Sequence, residues 1–397
     1  MNILIIGNGI AGLSAAEEIR KIDNTSKIDI LTQEPYLTYY RTKLSHYLSK
    51  DFTLEEVLIH PEQWYAEKEI NVHLDTKAEN IDVKEKKVTT DGDAIFAYDK
   101  LLLANGSSSF VPPVKGSDKE GVFSLRSLAD ALEIQSYSKK SKKATVIGGG
   151  LLGLEAANSL KALGLEVTVV EFAPRLLPRQ LDEDGSAVVK NIIEGQGINL
   201  ILDAQVEEIK GDPADLCLLK NGEAVETDLV LFSAGVRSNI QIPKDAGLET
   251  DRAVIVNEFM ETSAKDVYAA GDVAEFNKMS FNIWPISVEQ GKIAGRNMAG
   301  KRESYDPITP SNMLNILNIK AFSIGDFGSN DSTITSIKDG DETSLRKVFF
   351  KEGKLVGGIL INDISLATKL KSNVGDDFSE LLKKDINDTA KLDQIGK

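Results

Sequence analysis

The stretch that decides the fold is Asn2-Ile-Leu-Ile-Ile-Gly7-Asn-Gly9-Ile-Ala-Gly12, at the start of the chain. Its four apolar residues, three of them isoleucine, predict a buried parallel strand, and Leu13–Ile19 predicts the helix that follows. The G-x-G-x-x-G spacing allows a tight turn at Gly7, close approach of a pyrophosphate at Gly9 and helix–strand packing at Gly12. The N–H groups at the start of the helix then face the phosphates. Alone, this motif is weak evidence, because glycine-rich turns also end ordinary strands.

The same pattern returns in the middle of the chain, in Ala144-Thr-Val-Ile-Gly148-Gly-Gly150-Leu-Leu-Gly153-Leu-Glu155. A strand leads into these glycines, a helix continues to Leu163, and residues 166–171 predict the next strand. Chance rarely produces a second complete fingerprint, so the repetition predicts two dinucleotide sites in one polypeptide.

Each copy carries a carboxylate after its second strand. Glu34 stands 27 positions after Gly7 (34 − 7), and a polar insert accounts for the length of that interval. Glu171 stands 23 positions after Gly148 (171 − 148). A carboxylate about 20 residues after the glycines commonly binds ribose hydroxyls and repels a 2′-phosphate, so Glu171 predicts NAD(H). Arg175 nearby could soften that preference, and the alternative for Glu34 is a solvated turn residue.

Composition excludes several classes of protein. With 46 basic and 61 acidic residues the net charge is −15, which argues against nucleic acid or an anionic membrane surface as the main partner. No segment approaches the ~20 consecutive apolar residues of a membrane span, and the apolar start of the chain begins a strand rather than a signal peptide, so we expect a cytoplasmic protein. The single cysteine, Cys217, excludes an intrachain disulfide and an iron–sulfur site. His46, His60 and His73 have no ligand cluster around them, so no metal site is predicted.

Three further segments each have two interpretations. Residues 39–48, Tyr-Tyr-Arg-Thr-Lys-Leu-Ser-His-Tyr-Leu, suit a flat aromatic cofactor with a pyrophosphate, or an amphipathic helix with a solvated basic face. Asp272 follows a short strand and could accept hydrogen bonds from a sugar or ribityl chain, or cap a helix. Trp284 precedes Pro285 and a predicted helix from about 287 to 299, and without further context it is better explained as a core aromatic.

The remaining segments complete an α/β pattern. Residues 70–103 alternate in the manner of antiparallel strands, and the corresponding segments 99–106 and 227–235 predict buried strands that end in glycine turns. Residues 107–116 have the composition of a linker, and we expect a domain boundary near them. After residue 305 we predict a small α+β domain with a helix over 364–373 and a charged tail that is mobile in part. The strands predicted in that domain are 312–319, 321–327, 345–351 and 354–362.

Together these segments resemble a known family. The two fingerprints, the turn Leu103-Ala-Asn-Gly106 and the strand Tyr268-Ala-Ala-Gly271-Asp272 are similar to those of the two-dinucleotide flavoprotein reductases, the FAD-dependent pyridine nucleotide-disulfide oxidoreductase superfamily. That family binds FAD in the first unit and a nicotinamide dinucleotide in a second unit inserted into it. The resemblance implies an α/β fold with two Rossmann-like domains. The implied domains are FAD-binding at 1–112 and 232–303, NADH-binding at 113–231, and a small C-terminal α+β domain at 304–397.

The resemblance also implies which residues bind the cofactors. Glu34 and the first fingerprint would hold the ADP half of FAD, Asp272 the ribityl chain, and the second fingerprint with Glu171 would hold NADH. The helix after Pro285 would direct its positive end at the flavin, which makes Trp284 a flavin neighbour. The implied cofactor-binding set is Gly7, Asn8, Gly9, Ile10, Ala11, Gly12, Gln33, Glu34, Arg41, Lys43, Ala78, Ala104, Asn105, Gly106, Arg126, Gly148, Gly150, Leu151, Leu152, Gly153, Glu155, Glu171, Arg175, Ala234, Gly235, Gly271, Asp272, Trp284 and Ile286. Hydride transfer needs positioning rather than a side-chain acid or base, and the residues assigned to catalysis are Lys43, Glu155 and Trp284.

The absence of cysteine from one segment limits the branches of the family to which the chain can be similar. Most close relatives of this fold carry redox-active cysteines beside the flavin, but residues 37–48 contain none. Disulfide reduction and cysteine-sulfenate peroxidase chemistry are therefore unsupported. The segments that are most similar to NADH:rubredoxin and flavorubredoxin reductases are 44–46, 110–113, 358–363 and 367–370.

This branch implies electron transfer from NADH through FAD to rubredoxin, a small iron protein, in the detoxification of oxygen and reactive oxygen species. The sequence departs from the family pattern at Asn105, where Thr is usual, and at Lys43, a variable position. Rubredoxins are generally acidic, so we expect a basic docking patch around the flavin edge with Arg41 and Lys43 at its centre.

Three other interpretations stay open from the sequence. The acceptor could be oxygen, ferredoxin or a nitrite reductase partner, because Gln290-Gly291-Lys-Ile-Ala-Gly295 also resembles the nitrite reductase family. The chain could instead be a flavin-bearing interaction protein that senses NADH without fast turnover. The two fingerprints could also serve a dinucleotide enzyme without flavin.

Overall fold

The computed structural model describes residues 1–307, 311–316, 318–327 and 331–396. The chain divides into two compact units, each of which contains one of the fingerprints. The first unit comprises Met1–Lys43, Asp51–Ser109 and Gly235–Ile308, and the second comprises Leu44–Lys50, Phe110–Ala234 and Thr309–Lys397. The division into FAD-binding, NADH-binding and C-terminal domains stays a prediction.

The first unit is built on a five-stranded parallel sheet around the strand that opens the chain. Its strands lie in the order Val267–Ala269, Lys100–Leu103, Asn2–Ile6, Lys27–Leu31 and Ile70–His73. The interpretation of residues 70–103 as antiparallel strands is wrong at both ends, because Ile70–His73 and Lys100–Leu103 run parallel to their neighbours. Four-residue strands carry the same alternation in either direction, so the pattern alone does not give the direction.

The remaining elements of the first unit are short. The antiparallel strands are Ala78–Asp82, Lys87–Thr90 and Ile95–Ala97, and two ribbons pair Ser107–Ser109 with Val236–Ser238 and Val254–Ile255 with Ala274–Glu275. The α-helices are Ile10–Ile22, Leu54–Val57, Glu62–Glu67, Gln241–Asp245 and Trp284–Met298, and the 3₁₀ helices are Arg41–Lys43 and Gly271–Val273. The first residues of the segment that the sequence assigns to a linker therefore form a paired strand. The second of the three stretches that make up the first unit ends at Ser109.

Two helices of the first unit pack with their backbones in contact. Gly291 and Gly295 lie four residues apart on one face of the helix Trp284–Met298 and meet the helix Ile10–Ile22. A Cβ on Gly291 would overlap the carbonyl oxygen of Ala11, and one on Gly295 would meet the backbone one turn further along. This contact fixes the helix that follows the first fingerprint against the helix that begins at the tryptophan.

The second unit contains a five-stranded parallel sheet of the same kind. Its strands lie in the order Asn199–Ile201, Glu166–Val170, Lys143–Ile147, Leu229–Phe232 and Val122–Ser124. A separate antiparallel sheet comprises Val206–Gly211, Ala214–Leu219 and Ala224–Glu226, and the α-helices of this part are Leu44–Tyr47, Leu128–Ser138, Leu151–Ala162 and Glu183–Gly195. Leu229–Phe232 pairs with the fingerprint strand as Lys100–Leu103 does in the first unit, which confirms that these two segments correspond.

The C-terminal part of the second unit is a five-stranded antiparallel sheet with short helices. Its strands lie in the order Ser311–Ile316, Ile319–Gly325, Lys354–Ile361, Leu345–Lys351 and Ile334–Gly340, and its helices are Ala367–Asn373, Ser379–Leu382 and Asp388–Ile395. The predicted strand 312–319 is divided between two of these strands, and Leu317 within it lies outside the described residues. The predicted charged tail contains two helices within residues 379–395, which bury Leu381, Leu392 and Ile395, and its partial mobility stays a prediction.

The predicted fold class, two Rossmann-like sheets with a small α+β part, is confirmed. None of the helices among the described residues has the length and apolar composition of a membrane span. Also among the described residues, no three or more His, Cys, Asp or Glu side chains form a group that could hold a metal ion.

Candidate active site

Both fingerprints fold into the same turn between a strand and a helix. Residues 7–12 form the first loop, and residues 148–153 form the second loop. A Cβ on Gly9 or on Gly150 would meet no atom within 4 Å, so the space beside each of these glycines is open. Open space against bare backbone is what a pyrophosphate needs for close approach.

The opening glycines of the two loops have the same backbone contacts. Gly7 donates its N–H to the carbonyl oxygen of Leu31 at 2.8 Å, and Gly148 donates to that of Val170 at 2.8 Å. Their φ angles are +110° and +121°, a region that favours glycine. A Cβ on either would also overlap a backbone carbonyl oxygen. Glycine is therefore required at both positions, for conformation and for space.

The helices that follow the loops begin without a side-chain cap. Three described helices of eight or more residues are capped by the side chain before their first turn, from Ser127, Asp182 and Asn387. The other three have no side-chain cap and begin after Gly9, Gly150 and Ile283. Uncapped N–H groups at a helix N-terminus are suited to an external anion. These three N-termini are the ones to which the resemblance assigns a cofactor. Because their N–H groups have no side-chain cap, the residues present fit FAD and a nicotinamide dinucleotide.

Buried side chains anchor the second residue of the first loop. The hydroxyl of Tyr65 donates to Oγ1 of Thr38 at 3.1 Å, and the hydroxyl of Thr38 donates to Oδ1 of Asn8 at 2.7 Å. All three residues are buried. The second loop has Gly149 at the corresponding position and must be anchored differently.

In the first unit the carboxylate after the second strand is bound by two side chains. The hydroxyl of Tyr39 donates to Oε2 of Glu34 at 2.5 Å, and Nη2 of Arg41 donates to Oε1 at 2.6 Å. Each carboxylate oxygen can accept a further hydrogen bond, so a ribose role for Glu34 stays a prediction. Because the charge of Arg41 is paired with Glu34, Lys43 is the exposed cation of the expected docking pair.

A cation and two aromatic rings lie in a stack beside these residues. Nζ of Lys43 lies 4.2 Å from the ring centroid of Tyr40. The ring of Tyr40 is stacked on that of Trp284, with centroids 6.4 Å apart and an interplanar angle of 24°. Trp284 is the first residue of its helix and is half-buried, so it is not enclosed in the core as its sequence context suggests.

Asp272 is held by hydroxyl groups in a 3₁₀ turn. Oγ of Ser107 donates to Oδ2 of Asp272 at 2.7 Å, and Oγ of Ser238 donates to its carbonyl oxygen at 2.6 Å. The N–H of Gly271 donates to Oε1 of Gln290 at 2.9 Å. Asp272 thus stands at the junction of the ribbon 107–109/236–238 and the helix that begins at residue 284.

Asn105, which departs from the family pattern, forms a reciprocal pair. Its Nδ2 donates to the carbonyl oxygen of Asn239 at 2.9 Å, and Nδ2 of Asn239 donates to the carbonyl oxygen of Asn105 at 2.8 Å. The N–H of Asn239 also donates to the carbonyl oxygen of Gly106 at 3.0 Å. The amide therefore fixes the glycine turn after the strand Lys100–Leu103.

In the second unit the corresponding carboxylate is bound by backbone. Oε2 of Glu171 accepts the N–H of Gly149, and Oε1 accepts the N–H of Ala173 at 2.7 Å. Phe172, directly after it, is 73% exposed and offers an aromatic face beside the predicted ribose position. Arg175 lies in the turn that follows, where Nη2 donates to the carbonyl oxygen of Pro178 at 3.4 Å.

Glu155 lies in the first turns of the helix after the second loop. It is half-buried and accepts a hydrogen bond from Oγ of Ser45 at 2.7 Å. Burial raises the pKa of its carboxyl group, while the hydrogen bond from Ser45 and the electrostatic effect of nearby His46 oppose that rise. The carboxylate therefore sits in a less polar setting than a surface glutamate.

The structure brings many of the predicted residues together within each unit. In the first unit Gly7 meets Ala104, and Gly271 meets Ala11. In the second, the loop contacts Glu171. For other predicted residues the structure gives their burial or a local hydrogen bond. Gln33, Ala234 and Gly235 are exposed, Ala78 and Ile286 are buried, and the N–H of Arg126 donates to Asp130 at 2.8 Å. The assigned roles of all these residues stay predictions.

Several polar residues of the site have no sequence signal that assigns them a role there, although Ser45 and Gln290 lie in segments that resemble known families. They are small or common side chains that reach the site from distant segments, namely Thr38, Ser45, Ser107, Ser238, Asn239 and Gln290. Phe172 had a usable signal, because an aromatic residue directly after a strand-end carboxylate is placed to cover a nucleotide. No role is predicted for Phe172 from the sequence.

Two protein-family models match the chain. The one described as pyridine nucleotide-disulphide oxidoreductase matches residues 1–291. The one described as rubredoxin NAD+ reductase C-terminal domain matches residues 310–377.

Individual relatives match along most of the chain. A nitrite reductase [NAD(P)H] of Bacillus subtilis (strain 168) is 34% identical over 395 residues, which cover 98% of this chain and 48% of the relative. An NADH-rubredoxin oxidoreductase of Clostridium acetobutylicum is 34% identical over 373 residues, which cover 94% of both. The crystal structure of NADH:rubredoxin oxidoreductase from Clostridium acetobutylicum matches with a TM-score of 0.86 at 32% identity and covers 99% of both chains. The chain thus spans about half the length of the nitrite reductase and nearly all of the rubredoxin enzyme.

Proposed function

The chain belongs to the pyridine nucleotide-disulphide oxidoreductase family of NAD(P)H-dependent flavin oxidoreductases, and from this premise we propose that it transfers electrons from NADH through FAD to rubredoxin. The observation that carries the proposal is the state of its single cysteine. Cys217 is buried, and burial raises the pKa of its thiol to about 12. No thiolate is available within the chain to receive electrons, so the acceptor is external.

The choice of rubredoxin is supported by two further findings. The C-terminal segment matches the rubredoxin NAD+ reductase C-terminal domain. The NADH-rubredoxin oxidoreductase of Clostridium acetobutylicum is matched over 94% of its length. The proposal includes a cytoplasmic location and a role in the detoxification of oxygen and reactive oxygen species.

FAD held at these residues would supply the capacity to accept a hydride and to release electrons singly, which suits an iron acceptor. The first loop binds its pyrophosphate with backbone N–H groups beside Gly9, where space is open. Asp272, oriented by Ser107, binds ribityl hydroxyls. The uncapped N-terminus of the helix at Trp284 stabilises negative charge that develops on reduction.

The second loop binds NADH in the same manner. Its open space lies beside Gly150, and the two carboxylate oxygens of Glu171 accept the ribose hydroxyls in addition to the backbone N–H groups. Glu155 is a positioning residue for the nicotinamide end, held by Ser45. Neither residue transfers a proton in the hydride step, which needs only distance and alignment of two rings.

The acceptor docks near Lys43. This lysine is exposed and caps the stack of Tyr40 on Trp284, while the other cation of the expected patch, Arg41, is paired with Glu34. An acidic iron protein approaches an exposed cation faster at low ionic strength, because the attraction is screened by salt. Lys43 therefore sets the rate of encounter more than the rate of hydride transfer.

The experiment is anaerobic stopped-flow spectroscopy of the flavin. NADH is mixed with the holoenzyme, and the reduced enzyme is then mixed with rubredoxin, with ferredoxin or with oxygen. The proposal expects fast bleaching by NADH, the fastest reoxidation with rubredoxin, and a rubredoxin rate that falls as salt rises. A reoxidation rate with rubredoxin no faster than with oxygen, or one indifferent to salt, would contradict it.

A pair of lysine variants separates a docking role of Lys43 from the general effect of removing one positive charge. Lys43→Gln should slow reoxidation by rubredoxin and flatten its salt dependence, and it should change these more than it changes the rate of bleaching by NADH. Lys84→Gln removes an exposed lysine elsewhere in the same unit and should leave both rates unchanged. Equal effects of the two variants would remove Lys43 from the docking surface.

A second candidate acceptor is the partner of a nitrite or nitrate reductase. The nitrite reductase of Bacillus subtilis and the rubredoxin enzyme are both 34% identical to this chain, so identity does not separate them. In this case the reduced flavin would be reoxidised quickly by a nitrite- or nitrate-reducing partner protein and slowly by rubredoxin. Running both acceptors in the same stopped-flow series decides between the two.

A further inference from the structure

A lysine joins the C-terminal antiparallel sheet to the start of the helix Glu183–Gly195. Lys347, on the strand Leu345–Lys351, donates from Nζ to Oδ2 of Asp182 at 2.5 Å and to Oδ2 of Asp184 at 2.7 Å. The side chains of Lys347 and Asp182 are 12% and 15% exposed, so water and salt screen this ion pair little. Burial alone would lower the pKa of Lys347, but its hydrogen bonds to the two carboxylates hold that pKa above the ordinary value. The lysine is therefore a charged group in a fixed place.

Apolar packing supports the same contact. A Cβ on Gly185 would lie 3.3 Å from Cγ2 of Ile359, which belongs to the neighbouring strand Lys354–Ile361. Gly185 is buried, and its N–H donates to Oδ1 of Asp182 at 2.9 Å. Asp182 therefore caps the helix with one carboxylate oxygen and binds Lys347 with the other.

Hydrogen bonds continue from the start of this helix to the second loop. Oγ of Ser186 donates to the carbonyl oxygen of Leu176 at 2.6 Å. The N–H of the next residue, Leu177, donates to the carbonyl oxygen of Gly149 at 3.3 Å. Gly149 donates its own N–H to Glu171, and a Cβ on Gly149 would lie 2.7 Å from Cδ2 of Leu176. The second loop is thus held by a segment, 171–182, that the start of the helix supports.

We propose that Lys347 is a positioning residue for the nicotinamide dinucleotide, because by fixing Asp182 it holds the segment 171–182 in the arrangement that the second loop needs. The inference rests on the proposed function, since it assumes that the second loop binds NADH. Without the cation, a largely buried carboxylate loses its counter-ion, and the start of the helix moves to expose that carboxylate to water. The C-terminal sheet therefore contributes to NADH affinity without touching the nucleotide.

The test is equilibrium binding of NAD+ to the oxidised holoenzyme, measured by titration calorimetry. NAD+ does not reduce the flavin, so the readout is affinity and not activity. Lys347→Met keeps the length of the side chain and removes its charge. It should weaken NAD+ about tenfold and leave the flavin content of the purified protein unchanged, because FAD is assigned to the other unit. A purely structural role would lower the free energy of unfolding and leave the affinity of the folded enzyme as it is.

A matched control removes a lysine from the same strand. Lys351 is exposed, and its Nζ lies 2.7 Å from Oδ2 of Asp331. Lys351→Met makes the same substitution and the same change in net charge as Lys347→Met. It should leave the affinity for NAD+ unchanged.

A second variant shows whether Lys347 acts through Asp182. Asp182→Asn keeps a side-chain oxygen for the helix cap and removes the charge that Lys347 binds. By itself it should weaken NAD+ binding. When it is present, adding Lys347→Met should weaken NAD+ less than about twofold further, because the interaction is already lost. Asp182→Asn also carries the test if Lys347→Met does not fold.

Four results would overturn the inference. They are unchanged affinity in Lys347→Met, unchanged affinity in Asp182→Asn, the same loss in Lys351→Met, and a full tenfold loss when Lys347→Met is added to Asp182→Asn. Failure of the wild-type protein to bind NAD+ would contradict the proposed function itself, and the inference with it. These measurements contain no electron acceptor, so they do not depend on the choice of rubredoxin.

Discussion

The first and second loops have the same backbone but different supports. In both, the opening glycine donates to the end of the neighbouring strand, and a helix begins without a side-chain cap. The first loop is anchored by side chains, through Asn8 and Thr38. The second is anchored by the carboxylate of Glu171, which accepts the N–H of Gly149. The fingerprint therefore specifies the backbone of each loop, and other parts of the chain supply the residues that support it.

This difference has a consequence for specificity. In the second unit the residue that would choose between the two nicotinamide dinucleotides also fixes the shape of the loop, so a change at Glu171 alters both at once. In the first unit Glu34 is bound by Tyr39 and Arg41 and makes no hydrogen bond to the loop in the described structure. Ligand choice and loop shape are thus coupled in the second unit and separate in the first.

The largest effect is expected from removing the opening glycines. Gly7→Ala and Gly148→Ala each force an overlap with a carbonyl oxygen at positive φ, a cost of several kcal/mol locally. Gly7→Ala should yield protein without flavin colour. Gly148→Ala should keep the flavin and lose its bleaching by NADH. Flavin absorbance of the purified proteins, before and after anaerobic addition of NADH, checks both.

A third glycine serves as the control for conformational strain. Gly164 has φ +91° and nothing within 4 Å of an added Cβ, so Gly164→Ala tests positive φ without overlap. It should cost about 1 kcal/mol in unfolding and leave both readouts unchanged. If Gly148→Ala lost the flavin while Gly7→Ala kept it, the assignment of the two loops would be reversed.

The second prediction concerns the helix contact that belongs to the first loop. Gly291→Ala places a Cβ on the carbonyl oxygen of Ala11 and should lower the free energy of unfolding by about 3 kcal/mol. Gly195→Ala makes the same substitution in the helix Glu183–Gly195, where the Cβ meets nothing within 4 Å. It should stabilise the protein by up to about 1 kcal/mol. Urea denaturation followed by circular dichroism measures both; effects of the same sign would contradict the packing argument.

The sequence predicts the parts of the fold that are set by local spacing. Both loops, their strands and their helices are confirmed because three glycines and a run of apolar residues suffice to specify them. The direction of Ile70–His73 is a property of its neighbours and is not encoded in four residues. The strand Ile334–Gly340 is missed because it is an edge strand with a single buried side chain, Ile337, and so lacks an apolar pattern.

The residues of the candidate site also fall into two groups, those that sequence spacing predicts and those that only the folded chain brings together. Glu171 is recognised because it stands at a fixed distance from its glycines. Thr38 lies 30 positions from Asn8, and Ser107 lies 165 positions from Asp272. Such contacts form only in the folded chain, and a single hydroxyl residue has no characteristic sequence spacing that identifies it. The supports that distinguish the two loops are therefore the part that only a structure supplies.

A third prediction tests the side-chain anchor of the first loop. Thr38→Val keeps the shape but leaves the hydroxyl of Tyr65 and Oδ1 of Asn8 without a partner, at a cost of about 2 kcal/mol. We expect weaker FAD binding, measured by titrating the apoprotein with FAD and following flavin fluorescence. Thr38→Ser retains the hydroxyl and should restore the affinity. Binding of NAD+ should not change in either variant; a loss there would mean that the anchor is not specific to the first loop.

The smallest expected effect is on the pH dependence of the free energy of unfolding, and it comes from Glu155 in the helix after the second loop. Burial raises the pKa of Glu155 above its ordinary value of 4.5, so the folded state holds this proton more tightly than the unfolded state. The corresponding stability is fully present below pH 4.5 and is lost as the pH rises through the raised folded-state pKa. Urea denaturation at a series of pH values should therefore show the wild type losing stability relative to Glu155→Gln over that interval. Ser45→Ala removes a hydrogen bond that favours the charged form and should extend the loss to higher pH. Parallel pH profiles for the wild type and Glu155→Gln would mean that the carboxylate is solvated like an ordinary surface group.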